Sequence, residues 1–232
     1  MPLPDVQGRK EILEYYLDKV KYLKSDMDSG IWSRRLIGFT GADLKNFVNI
    51  AVLNSIKSNN EVTLKENFDF AYDRIQMGVK RPGLLIDKEE KEATAFHEVG
   101  HALVAYLTLG AKSLYKLTIL PKGGSLGHTA LLPDENESSM SRKKIIGYID
   151  VALGGRASEE LFLGSDQITT GCSSDLNSAT SYSYSYAREL CMMDDVSLIS
   201  AEKDKLSDDY NYKIDMEVQR ILKESLKRCK KL

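Results

Sequence analysis

Two of the three histidines in the chain, His97 and His101, stand four positions apart in TAFHEVGHALVAY, with Glu98 between them. Each helical residue turns its side chain by about 100°, so the two rings lie roughly 40° apart, one turn above the other. Placed so, two imidazoles can share one metal ion, and neutral imidazole nitrogen suits zinc. Glu98 sits beside His97, off the ligand axis but facing the open position of the metal. There it can take a proton from zinc-bound water and give it later to a leaving amine. H-E-x-x-H is among the more mechanically specific short motifs, and it points to a zinc hydrolase.

A catalytic zinc normally keeps three protein ligands and one open position, so a third ligand must be found. An extended motif with Gly at 104 and His at 107 is excluded, because the chain has Val104 and Leu107. His128 has the right chemistry but follows a Gly-rich turn in an apparent strand. The carboxylates are Glu159 and Glu160 in GGRASEELF and Asp175 in TTGCSSDL. Residue chemistry alone leaves these three level.

The metal helix must be held by other elements. Asp87 makes an N-cap with Glu90 three residues on, and a long helix then runs to about Gly110. LYKLTIL and HTALL read as strands either side of the turn-rich PKGGSLG, and PDENESS as a polar loop. SRKKIIGYIDVALGGRASEELFLG reads as helix interrupted at Gly154-Gly155. SYSYSYA alternates like a strand, yet Leu176, Ala179, Tyr182, Tyr186 and Leu190 recur at helical spacing, and helix is the better reading. The remainder is mainly helical, apart from the polar SAEKDKLSDDYN.

Upstream, EILEYYLDKVKYL predicts a helix whose mostly apolar stripe carries Ile12, Tyr15, Tyr16, Lys19, Val20 and Leu23. GFTGADLKNFVNIAVLNSI predicts another, with Thr40 and Asp43 at capping-box spacing and a face of Leu44, Phe47, Val48, Ala51 and Ile56. ENFDFAYDRIQMG adds a third that stops at Gly78. These short helices make a small bundle. VKRPGLLI breaks the pattern as a linker.

Length and charge bound the rest. A chain of 232 residues can bury one large core or two modest ones. A formal charge of −2 argues against a general nucleic-acid partner. Cys172, Cys191 and Cys229 are odd in number and suggest no disulfide framework. No apolar run is long enough to span a bilayer.

Several long motifs carry a family resemblance. TAFHEVGHALVAYL, KLTILPKGGSLGHT, GYIDVALGGRASEELFLG and ITTGCSSDLNSAT occur in the order seen in FtsH-type membrane-bound ATP-dependent zinc proteases. GFTGADLKNFVNIA and PDVQGRKEIL resemble the helical lid of the ATPase module that precedes the protease in that family. The resemblance implies a mainly α fold with a small β-sheet. It places the lid at residues 1–78, a linker at 79–86 and a mostly helical, zincin-like metallopeptidase domain at 87–232.

Carried over residue by residue, the zinc ligands implied by the resemblance are His97, His101 and Asp175, one Zn2+ per chain, with Glu98 catalytic. Glu159 becomes a partner that orients a histidine ligand. Asp175 is placed in a Gly-containing turn just before a helix. Leu126, Gly127, His128 and Thr129 resemble an edge strand on which an extended polypeptide would pair. The implied substrates are unfolded or membrane polypeptides. The implied assembly is a homo-hexamer, anchored through an N-terminal segment missing here in a mitochondrial inner, plastid or bacterial inner membrane.

Departures set limits. The phosphate loop G-x-x-x-x-G-K-[ST] is absent, since the near match Gly78 to Gly83 is followed by Leu84-Leu85. ATP and Mg2+ are therefore expected only in the full-length enzyme. Cys172 stands where the family usually has a small residue such as Ala. The rival expectation is a ring-assembly module with a structural zinc, closed by a fourth ligand such as Cys172 or His128.

Overall fold

The computed structural model describes residues 3–78, 86–121, 125–132, 139–193 and 206–232. Most of VKRPGLLI, most of PDENESS and residues 194–205 lie outside these residues. The chain divides into two compact units, one mainly Met1–Pro82 and the other mainly Gly83–Leu120 with Ser125–Leu232.

Among the described residues the first unit holds four helices: α1 (Val6–Leu17), α2 (Ser29–Arg35), α3 (Gly41–Lys57) and α4 (Lys65–Met77). The Thr40–Asp43 capping box opens α3, with the Thr40 side chain accepting from the Asp43 amide and the Asp43 carboxylate from the Thr40 amide. The core is aromatic, with Trp32 and Phe47 ring centroids 5.0 Å apart and Phe68 against both. Two stripes differ from expectation. Helix α1 stops at Leu17 and buries Arg9, Leu13 and Leu17, while Tyr15 is 58% exposed. Tyr15 instead lies beneath the ammonium of Lys19, 3.7 Å from its ring centroid. Ile56 is exposed, and Ser55 takes the buried place by donating to the carbonyl of Val62.

The second unit holds α5 (Lys88–Leu107), strands β1 (Leu114–Thr118) and β2 (His128–Leu131), α6 (Arg142–Phe162), α7 (Ser173–Tyr184) and α8 (Asp208–Cys229). It is mainly helical with a two-stranded antiparallel sheet. Leu117 faces Thr129 and Thr118 faces His128, after an irregularity between Leu114 and Lys116. The Asp87 side chain caps α5 by accepting from the Glu90 amide. SYSYSYA is helical, running from α7 into a π-helical turn at Ser185–Glu189. The tail of the polar stretch, from Asp208, forms the first turn of α8 under a Ser207 cap.

Helix α6 corrects the reading of Gly154-Gly155 as an interruption. It runs unbroken through both glycines. Its inner face joins Ile145, Ile149 and Leu153 to Val104 and Ala105 of α5 and to Ile214, Val218 and Ile221 of α8. None of the helices among the described residues is long and apolar enough to cross a membrane.

Candidate metal centre

The site is made where α5 and α6 cross, backbone against backbone. A Cβ on Gly154 would lie 2.8 Å from the carbonyl oxygen of Gly100, and one on Gly100 would lie 2.6 Å from Ser158 Cβ. Real Cβ atoms do not come so near, so only glycine lets the helices close to this distance. Gly155 then passes beneath both histidine rings. A Cβ there would sit 2.6 Å from His101 Nε2 and 2.6 Å from His97 Nδ1. Two short 3₁₀ turns, Ser165–Gln167 and Thr170–Cys172, return the chain so that Asp175 enters from the first turn of α7. Asp175 therefore lies inside the helix rather than in a turn before it.

Three candidate ligand atoms converge. His97 Nε2 and His101 Nε2 are 3.1 Å apart, and Asp175 Oδ2 lies 3.1 Å from the first and 3.3 Å from the second. Tetrahedral zinc bonds of about 2.0–2.1 Å require ligand atoms about 3.3 Å from one another. The triangle has the size of one face of such a tetrahedron.

Both rings are turned so that their lone pairs point inward. His97 Nδ1 donates to Glu159 Oε1 at 2.7 Å, and His101 Nδ1 donates to the carbonyl of Val151 at 2.7 Å. A carboxylate and a carbonyl can only accept, which puts each ring proton on Nδ1 and leaves Nε2 as a donor of electrons. Two lone pairs and a carboxylate oxygen facing one another repel unless a cation lies among them. The donor set thus fits zinc.

Without metal, a proton meets the same need. Burial opposes charge on His97, but hydrogen bonds to Asp175, Cys172 and Glu159 outweigh it and raise the ring to about 11. Burial likewise works against the Asp175 carboxylate, yet hydrogen bonds from His101 and His97 bring it down to about 2. Each group is held in the form that supplies or attracts positive charge.

Glu159, only 1% exposed, also accepts from the Thr169 amide at 2.6 Å and from its hydroxyl at 3.1 Å. Its carboxylate is pinned between the 3₁₀ turn and His97, on the side of the ring away from the triangle. Partners of this kind typically support metal affinity by about 10- to 100-fold. Glu159→Gln is expected to weaken zinc binding by about that factor, read by competition with a chromophoric chelator. Unchanged affinity would show that the ring holds its orientation without the charge.

The remaining candidates separate cleanly. Glu160 points away and pairs with Lys230. Cys172 Sγ lies 3.8 Å from His97 Nδ1, again on the far side of the ring, and joins His97 and Glu159 rather than the triangle. His128 opens β2 and belongs to neither cluster of donors found among the described residues. Glu98 is buried at 7% exposure, and its Oε2 accepts from the Thr129 hydroxyl at 2.5 Å. Three contributors carried no sequence signal for their part: the Val151 carbonyl, Thr169, and the hydroxyl of Thr129, which sequence placed only on a substrate edge.

A helix bearing two histidines one turn apart, a glutamate between them and a facing carboxylate is the arrangement of the H-E-x-x-H metallohydrolases. Residues 84–232 match the model of peptidase family M41, and the chain belongs to that family of FtsH-type peptidases. It is 39% identical over 231 residues to the mouse (Mus musculus) ATP-dependent zinc metalloprotease YME1L1, covering 99% of this chain and 32% of that protein. It is 42% identical over 232 residues to the Arabidopsis thaliana ATP-dependent zinc metalloprotease FTSH 11, chloroplastic/mitochondrial, covering 100% of this chain and 28% of that protein. A YME1 homolog of Schizosaccharomyces pombe is 40% identical over 98% of this chain and 32% of its own length. The chain spans about a third of the length of the curated relatives it matches.

Proposed function

We propose that this chain carries the peptide-cleaving site of an ATP-dependent zinc protease, with His97, His101 and Asp175 as zinc ligands and Glu98 as the general base. The observation that carries the reading is the triangle of two Nε2 atoms and one Oδ2 beside a buried glutamate. Held by these three residues, a zinc ion would supply Lewis acidity, lowering the pKa of water and polarising the scissile carbonyl. Glu98 takes the proton of the attacking water and returns it to the departing nitrogen, so that the carbonyl carbon gains oxygen as the C–N bond breaks. Glu159 and the Val151 carbonyl keep the histidines aimed while charge changes nearby. Leu126, Gly127, His128 and Thr129 supply a strand on which an extended polypeptide lies with its backbone across the site.

Residues 1–78 are the helical lid of the ATPase module, residues 79–86 the linker, and residues 87–232 the peptidase. The substrates are unfolded or membrane polypeptides, delivered in the full-length homo-hexamer by an ATP- and Mg2+-dependent motor. The names of the plant relatives, chloroplastic/mitochondrial, favour an organelle, and the setting we assign is the mitochondrial inner or plastid membrane. The rival reading, a structural zinc in an assembly module, asks for a fourth protein ligand. Neither Cys172 nor His128 reaches the triangle.

Hydrolysis of an internally quenched, unstructured peptide tests the reading. Cleavage by the chain is expected to stop on chelation and return with zinc, whereas a stably folded protein stays intact even with ATP present. Cleavage indifferent to chelation would sink the proposal, as would ATP-stimulated degradation of the folded protein for the motor assignment.

A further inference from the structure

Strand β2 and the residues before it reach the candidate base twice. A Cβ on Gly127 would lie 2.6 Å from Glu98 Cγ and 2.8 Å from Glu98 Oε1, so the missing side chain is what makes room for the glutamate. Two residues on, the Thr129 hydroxyl lies 2.5 Å from Glu98 Oε2 and 3.0 Å from the Glu98 carbonyl. The hydroxyl has one proton to give. The shorter contact has the length of a charge-assisted bond to a carboxylate, which is the stronger acceptor. Among the described residues no hydrogen bond reaches Oε1.

A glutamate side chain has three rotatable bonds, and a base must be held within about 0.5 Å of its working position to be effective. Among the described residues no hydrogen bond from another side chain of α5 reaches the Glu98 carboxylate, and its helical neighbours His97 and His101 are turned to Glu159 and Val151. The restraint comes from the strand. We propose that Thr129 is a positioning residue: its hydroxyl holds Oε2 of Glu98 and leaves Oε1 as the oxygen that moves the proton.

The proposal rests on the peptidase reading and deepens it. The segment on which the substrate backbone lies is also the one that aims the base. Seating of an extended chain and orientation of Glu98 therefore share one scaffold, and a shift of β2 changes both together.

Thr129→Val keeps the branched shape and removes the hydroxyl, while Thr129→Ser keeps the hydroxyl and removes the methyl. With zinc-loaded protein and the quenched peptide, the valine variant is expected to lose about 10- to 100-fold in kcat. KM stays within about twofold, and the serine variant within about threefold of the parent, as expected for an interaction made in the transition state. Zinc affinity of the metal-free proteins, by chelator competition, stays equal in all three. A crystal structure of the metal-free valine variant is expected to show Glu98 turned or split between rotamers. Parental kcat in the valine variant, a serine variant as slow as valine, lost zinc affinity, or an unmoved Glu98 would each overturn the proposal. If even the parent cleaves nothing, the peptidase reading of the isolated chain fails, and the Glu98 rotamer still decides the role of Thr129.

Discussion

Glu98→Gln is expected to lower peptide cleavage by about 10²- to 10⁴-fold while leaving one zinc bound, the range associated with a single general acid–base group. The substitution is nearly isosteric. A carboxamide oxygen can still accept the Thr129 hydroxyl that now reaches Oε2, so the side chain keeps its place against β2. What disappears is the ability to take and return a proton. Because Glu98 is not among the three convergent ligand atoms, its loss does not weaken the triangle. Measuring kcat/KM beside metal content by atomic absorption separates the two effects. Full activity in the glutamine variant would remove Glu98 from the mechanism, and loss of zinc would make it part of the metal site instead.

The spacing of His97, Glu98 and His101 was legible because one helix carries all three, and helical geometry is local. The cap at Asp87 and the capping box at Thr40 were legible for the same reason. The proposed third ligand was not, because Asp175 arrives from α7, more than seventy residues on. Glu159, Glu160 and Asp175 have the same chemistry, and only family resemblance preferred one. In the structure Glu160 is drawn off by Lys230, Glu159 lies behind His97, and Asp175 alone reaches both Nε2 atoms. The carbonyl of Val151 could not have been read at all, since a backbone acceptor has no residue type to give it away.

Misread faces have a different cause. In α1 the tyrosines looked like core because they are large and partly apolar. Their rings instead serve the surface, over which Lys19 lies. Leu13 and Leu17, one helical turn apart, were the true stripe. Alternation in SYSYSYA imitates a strand because serine and tyrosine differ in size at every second place. Ala179 and Ser183, four apart and both buried, mark the helical face.

Glycine gave the most instructive error, and it leads to the second large expected effect. Gly154-Gly155 was read as a break because glycine costs a helix about 1 kcal/mol against alanine. That propensity is overridden where a neighbouring backbone must come close. Gly100→Ala would place a Cβ 2.9 Å from the carbonyl carbon of Gly154 and 2.6 Å from Ser158 Cβ, and backbone has no rotamer with which to step aside. Overpacking of this kind costs about 1–3 kcal/mol or more, and a backbone clash belongs at the upper end. For a unit of this size about 3 kcal/mol corresponds to a fall in Tm of roughly 6–12 °C. Gly41→Ala, whose Cβ would meet nothing nearer than Ile12 Cδ1 at 3.9 Å, is expected to change Tm little. The crossing also carries the His97–Glu159 and His101–Val151 bonds, so pushing α5 from α6 loosens both ligands at once. Gly100→Ala should therefore lose zinc affinity as well as stability, and added zinc should recover less Tm than it does in the parent. Thermal melts of parent and both variants, with zinc and with chelator, read this directly. A Gly100→Ala protein that melts and binds zinc like the parent would show that the close crossing does not seat the metal ligands.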